Sequence, residues 1–221
     1  MTNISKNTPV ISNNKQEPAK KYEFTNETRC VAGHTLHRIK AIRDFADIKA
    51  GTLGGYIENE SNLSHYGNCW VYDEALVYGY AHVSDHAKVR HLSHVRGRVY
   101  GNAEVYGKAV ITRYAKIYDH ARIYGHSKVS GSACIYSSAK IYGQAAIKGF
   151  AKIYGKVYGN AIVSGRAAVY GSVYGNAKIS GYVKVWGRAY GRAKIDTQSK
   201  IKLVPDNYEV YKSDEVVKIE K

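Results

Sequence analysis

Val173-Tyr174-Gly175-Asn176-Ala177-Lys178 states, in six residues, a unit that recurs from Val71 to Ile195. Its positions hold an aliphatic residue, usually a tyrosine, a glycine or aspartate, a polar residue, a small residue and a second polar one. The aliphatic position runs through Val71, Val77, Val83, Val89 and Val95, then Val105, Ile111, Ile117, Ile123, Val129, Ile135, Ile141, Ile147 and Ile153. Two places before most of these stands a small residue, as at Ala103, Ala109, Ala115, Ala121, Ser127 and Ala133. A fixed short period marks a solenoid, because no single unit can bury its apolar face alone. The Ala-x-Val/Ile alternation sends the small and the aliphatic side chains to one face of a short strand. Gly or Asp two places after the aliphatic residue tolerates the positive φ that a corner requires. The unit predicts an all-β chain coiled as a parallel β-helix.

The number of sides follows from the residue after each aliphatic one. Tyr106, Tyr124, Tyr142, Tyr158, Tyr174 and Tyr190 form one series, and Tyr100, Tyr118, Tyr136, Tyr154, Tyr170 and Trp186 a second. The third series, Thr112, Ser130, Lys148, Ser164, Ser180 and Asp196, has no aromatic residue. The pattern therefore repeats every three hexads, or 18 residues per turn. From Ile153 to Val157, Val169 to Val173 and Val185 to Ala189 the step shortens to four residues, so the same corner is trimmed in three successive turns. Both features predict a single-stranded coil of triangular cross-section.

Composition bounds what such a coil does. The 221 residues suit one solenoid with caps, and a net charge of +15 favours anionic partners. A flat-sided solenoid can also carry Lys and Arg only to stay soluble. Cys30, Cys69 and Cys134 are scattered and lack metal-ligand spacing, which predicts a reduced, cytoplasmic protein. Residues 1–21 lack the apolar run of a signal peptide or membrane span and read as a disordered basic tail.

Residues 22–70 differ in kind and are expected to cap the coil, whose first turn otherwise exposes core and unpaired backbone. Tyr22-Glu23-Phe24 and Leu36–Ile42 read as strands, and Asp44–Gly51 as a short helical turn ended by glycine. The coil proper is expected over residues 71–196, and residues 197–221 as a strand pair or tail at the far end.

The hexads resemble those of the hexapeptide-repeat left-handed β-helix superfamily, whose unit pairs an aliphatic residue with a small one four places later. Val157/Ala161, Val173/Ala177 and Ile117/Ala121 fit that unit, although many members carry a small or acidic residue where tyrosine stands here. Arg38–Gly51, Gly54-Gly55, Leu63-Ser64 and Gly67–Tyr72 are similar to the N-terminal region of YdcK-like proteins of bacteria and their prophages. The resemblance implies a left-handed coil and a bacterial or phage origin. Periodicity alone does not fix the hand, and a right-handed, bactofilin-like coil shares it.

Members of the superfamily are often acyltransferases that use a histidine base and share the acyl-CoA site between subunits of a trimer. His82, His86, His91, His94, His120 and His126 supply histidines here. A general base also needs an orienting partner and a cleft, and the hexads run without an inserted loop, interrupted only by the short steps and a kink at His91-Leu92-Ser93-His94. Asp119/His120 and Asp85/His86 bring no third ligand into register, so they read as solvated corners. No catalytic residue, metal site or cofactor is assigned.

The outward faces say more. Side chains alternate along a strand, so the residue before each inward aliphatic also points out. On one face Arg122, Lys140, Lys156 and Arg188 accompany Tyr124, Tyr142, Tyr158, Tyr174 and Tyr190. On another, Arg98, Lys116, Lys152 and Lys184 accompany Tyr100, Tyr118, Tyr154 and Trp186. Three readings follow: ladders that only shield the sheet, a protein interface in which Tyr, Trp and Arg are enriched, and a nucleic-acid surface of phosphate contacts and base stacking. Rings held edge to edge in a tight column leave little room for inserted bases. The expectation is therefore a non-enzymatic scaffold that engages an acidic protein or self-associates as a dimer or trimer. A trimeric acyltransferase is the rival, and nucleic-acid binding the second alternative.

Overall fold

The computed structural model describes residues 19–212 and 215–220. It is an all-β chain in which three sheets run along about nine turns of parallel coil. The first face runs from Trp70–Val71 through Lys140–Ile141 to Tyr208–Val210, and the second from His82–Val83 to Leu203–Val204. The third runs from Leu76–Val77 to Lys194–Ile195 and continues into the N-terminal strands. Each coil strand before Leu203 is only two residues long, an outward residue and an inward aliphatic one, paired in register with the same position one turn away.

The interior is a stack of identical layers. Ile135, Ile141 and Ile147, with Ala133, Ala139 and Ala145, have no exposed surface. Burying one such isoleucine contributes about 1.5–3 kcal/mol, and a small residue at the neighbouring position leaves room for it. Where serine takes the small position, its hydroxyl is satisfied locally: Ser127 donates to the Tyr124 carbonyl at 2.9 Å and Ser93 to that of Arg90 at 2.8 Å.

Corners are built in two ways. At the six-residue steps, except the one after Ile111, where Tyr114 takes this role, the residue two places after the aliphatic has positive φ, mostly glycine. Where aspartate replaces it, the carboxylate does further work. Asp73, Asp85 and Asp119 accept from the backbone N–H of His91, Gly101 and Ser137 in the next turn, at 2.9, 2.8 and 2.9 Å. At the trimmed corners Gly155, Gly171 and Gly187 stack so tightly that an added Cβ would lie 2.0 Å from a carbonyl oxygen of the following turn. The kink expected at His91–His94 is absent, since His94–Val95 is a regular strand of the third face. The irregularity lies just beyond it, in a four-residue step from Val95 to Val99 through Gly97. It trims the corner between the third and second faces, whereas the three later short steps trim the one between the second and first.

At the N-terminal end β1 (Tyr22–Val31) and β2 (His34–Ala41) form an antiparallel hairpin, and Ala32 and Gly33 at its tip both have positive φ, as a tight two-residue turn needs. β3 (Leu53–Ile57) pairs antiparallel with β2 and parallel with Leu76–Val77. Leu63 bridges Val83 in parallel. The coil thus starts inside residues 22–70. It also runs past residue 196, because Leu203–Val204 and Tyr208–Val210 add parallel strands to the second and first faces. Val217–Lys218 then turns back antiparallel on Tyr208 and Glu209. Gly54 and Gly55 let β3 pass against the first coil, where a Cβ would come within 2.7 Å of Val71 O and 2.6 Å of Ala75 O respectively.

Asp44–Gly51 is not helical. Phe45 and Ile48 form an antiparallel bridge, and the Asp44 carboxylate accepts from Ala50 N at 2.8 Å. A segment this short gains too few helical hydrogen bonds to offset nucleation.

Most of the tail expected over residues 1–21 lies outside the described residues, but its last residue is buried. Lys21 Nζ donates to Cys69 O at 2.9 Å and contacts Cys69 Sγ at 3.2 Å. Burial holds this ammonium below its usual pKa and pushes the Cys69 thiol up. Beside it, the buried Tyr22 donates to Leu63 O at 2.9 Å. A chain beginning at Glu23 is therefore expected to lose about 3 kcal/mol or more of unfolding free energy relative to one beginning at Ala19. Equal melting temperatures for the two would contradict this packing.

Candidate interaction faces

The two tyrosine series form two ladders. On the first face, Tyr106, Tyr124, Tyr142, Tyr158, Tyr174 and Tyr190 stack with centroids 4.7–5.0 Å apart and planes within 9° of parallel. Tyr211 ends the column with a tilted ring, 5.3 Å from Tyr190. The second face stacks Tyr100, Tyr118 and Tyr136 at 4.9 and 5.0 Å. It then tilts by 58° at Tyr154 and recovers through Tyr170 to Trp186, whose centroids are 3.9 Å apart. The rings meet face to face with offset, not edge to edge, because every side chain leaves an identical backbone position one strand spacing from the last.

The ladder tyrosines are half-buried. Burial pushes the Tyr118 hydroxyl up to about 12, with Cys134 and Tyr100 adding to it, and raises Tyr106, Tyr142 and Tyr174 in the same direction. Positive charge therefore comes from the neighbouring columns. On the first face Arg122, Lys156 and Arg188 are exposed and Lys140 half-buried, but Ser172 interrupts the column. Glu104, 3.9 Å from Arg122, and Glu209 stand at its ends. On the second face Arg98, Lys116, Lys152 and Lys184 are all exposed, with Cys134 and Ala168 between them. Among the described residues, Arg98, Lys116, Lys140, Lys152, Lys156, Lys184 and Arg188 form no ion pair.

The third face is plain in its middle but not at its edge. Tyr80, Tyr114, Phe150 and Tyr182 stand at its corner with the second face, each 59–69% exposed, far more than the ladder tyrosines. The Arg113 guanidinium lies between Tyr80 and Tyr114, 3.6 and 4.7 Å from their centroids. Arg166 lies between Phe150 and Tyr182, at 5.7 and 5.6 Å. The sequence signal was an aromatic residue directly before the inward residue that opens the next side, Ala81, Ala115, Ala151 or Val183. It recurs every second turn, so a reading turn by turn passes over it.

The histidines do not gather. His120 and His126 are exposed on different corners, and His91 Nδ1 lies 3.3 Å from Gly107 N in the next turn. Outside the coil, His34 pairs with Glu58 at 2.7 Å. Among the described residues no group of three or more His, Cys, Asp or Glu side chains is placed to hold a metal ion. No helix among them is long and apolar enough to cross a membrane.

No family model matches the chain. A stretch of 39 residues, 18% of the chain, is 54% identical to an Escherichia coli (strain K12) protein described as uncharacterized acetyltransferase YdcK, of which the match spans 12%. Together with the coil itself, that match supports the likeness to hexapeptide-repeat, YdcK-like proteins. The chain is a three-sided parallel β-helix of hexapeptide repeats, similar over that stretch to YdcK.

Proposed function

We propose that the chain is a binding scaffold, working in the cytoplasm, whose two tyrosine-and-cation faces engage an acidic protein or further copies of the chain. If the chain is of phage or prophage origin, a host or defence protein suits that description. The observation that carries this reading is the juxtaposition itself. Flat columns of stacked rings run beside lysines and arginines of which, among the described residues, Arg122 alone lies within 4 Å of a carboxylate, that of Glu104. Half-buried rings held in a rigid column lose little conformational entropy on binding, and exposed unpaired cations steer an anionic partner without costly desolvation in the free state. Nucleic acid is the weaker alternative, because ring spacing fixed by the backbone leaves no gap for a base.

The similarity to a protein named as an acetyltransferase favours a second reading, a trimeric acyl-CoA-dependent acyltransferase. An acyl-CoA ordered at a subunit junction, or a histidine whose replacement abolished transfer, would decide for it. Affinity capture with and without nuclease separates the partner classes. The scaffold reading expects a protein retained after nuclease treatment and lost with Tyr142→Ser/Tyr158→Ser. A partner lost with nuclease would point to nucleic acid instead.

A further inference from the structure

The four-residue step at Gly97 removes one corner from the edge between the third and second faces, and the space it leaves is a notch of about 440 Å³. Tyr80 and Tyr114 bound it, Gly97 lies at its base, and Arg98, Lys116 and Cys134 line its second-face side. Arg98 also lines two adjoining depressions, one toward Ser61 and His82 and one toward Ser84 and Tyr100. The three form a groove centred on one arginine. Among the described residues, no acidic side chain lines any of them.

Two irregularities in successive turns build this place. Gly97 is required for packing, since a Cβ there would lie 2.5 Å from Ala115 O. In the next turn Arg113 takes the position that glycine holds at most other corners, and Tyr114 adopts φ 72. A bulky residue in that region costs about 1–3 kcal/mol, and such residues cluster at functional sites. The arrangement swings Arg113 onto Tyr80 and leaves both rings exposed.

We infer that this groove docks an acidic, aromatic-bearing peptide segment of a protein partner, a proposal that rests on the reading of an acidic partner above. Arg98 and Lys116 are register neighbours in adjacent turns. An extended peptide places alternate side chains about 6.6 Å apart, a separation that long flexible cations meet easily. Its carboxylates then pair with Arg98 and Lys116, while an aromatic side chain lies against Tyr80 or Tyr114 over Gly97. A nucleobase fits less well, because Arg113 already fills the slot between the two rings.

The test is fluorescence anisotropy with a labelled peptide of repeated Glu-Glu-Tyr, its Gln-Gln-Tyr counterpart and a thymidine oligonucleotide of equal charge. The acidic peptide is expected to bind at least about tenfold more tightly than the neutral one. Arg98→Gln/Lys116→Gln should remove about that factor, two pairs near 0.7 kcal/mol each. Tyr80→Ser/Tyr114→Ser should weaken binding at every salt concentration, and Lys140→Gln/Lys156→Gln should change it less than about twofold. If the acidic peptide binds but responds only to the first-face substitutions, the groove is wrong and the acidic-partner reading stands. If acidic and neutral peptides bind alike, or neither binds, the acidic-partner reading falls with it. Tighter binding of the oligonucleotide, lost with Arg98→Gln/Lys116→Gln, would overturn the peptide in favour of nucleic acid.

Discussion

Replacing Ile141 by alanine is expected to remove about 2–5 kcal/mol of unfolding free energy, and Tyr142→Ala clearly less. The two residues are neighbours in the chain but opposite in environment. Ile141 has no exposed surface and fills its layer of the core, so truncation leaves a cavity that the parallel strands on either side cannot close. Tyr142 loses two ring contacts, to Tyr124 at 5.0 Å and Tyr158 at 4.7 Å. Cross-strand pairs of this kind contribute about 0.2–1 kcal/mol each. Denaturant titration of both variants checks the difference. Equal losses would mean that the inward and outward faces are reversed.

A larger effect for its size is expected at Gly171. One methyl group placed there would meet Trp186 O at 2.0 Å and Gly187 O at 2.1 Å, both backbone atoms of the following turn. Gly155 stands in the same relation to Gly171 one turn earlier, so relief at one level is transmitted to the next. Gly171→Ala should therefore cost about 3 kcal/mol or more, the range reserved for overpacking and backbone displacement. Gly79 is the control. Its Cβ would meet nothing within 4 Å, and only its φ of 64° opposes a side chain, a penalty of about 1–2 kcal/mol. A melting temperature for Gly171→Ala no lower than that of Gly79→Ala would show that the trimmed corners are not stacked in this way.

The coil and its three sides were legible because the signal is periodic. Two-residue strands carry little propensity of their own, but Ala-x-Ile with tyrosine after it, repeated every turn, identifies both the inward residues and the column to which each belongs. The short steps at Ile153, Val169 and Val185 told the same story, since a trimmed corner stacks only on trimmed corners. What escaped lacked that one-turn period. The exposed edge of Tyr80, Tyr114, Phe150 and Tyr182 repeats every two turns, and Arg113 reaches Tyr80 only because a corner is missing at Gly97. Lys21 carries no apolar signature, yet its stem and ammonium are buried against Cys69. The start of the coil inside the cap was hidden for a related reason. Ile57, Leu63 and Val71 are separated by six and then eight residues, so the longer step, through Tyr66 and Gly67, breaks the count. Ring orientation was beyond spacing altogether: identical rotamers on an in-register stack give parallel rings, which a sequence of tyrosines does not distinguish from edge-on ones.

The central claim is that the tyrosine-and-cation faces bind, and a salt series on the captured partner, or on self-association, tests it most directly. Lys140→Gln/Lys156→Gln/Arg188→Gln should weaken an acidic partner mainly at low ionic strength, because exposed charges act through a field screened over about 10 Å at 0.1 M salt. Tyr142→Ser/Tyr158→Ser/Tyr174→Ser should weaken it at every concentration, since the lost contribution is contact area and stacking. The account expects a shallow dependence of log K on log salt for the unsubstituted chain, in contrast to the steep slope that counts neutralised phosphates. Affinity unchanged by both sets of substitutions would contradict it, and would leave the ladders as shielding for the sheets alone.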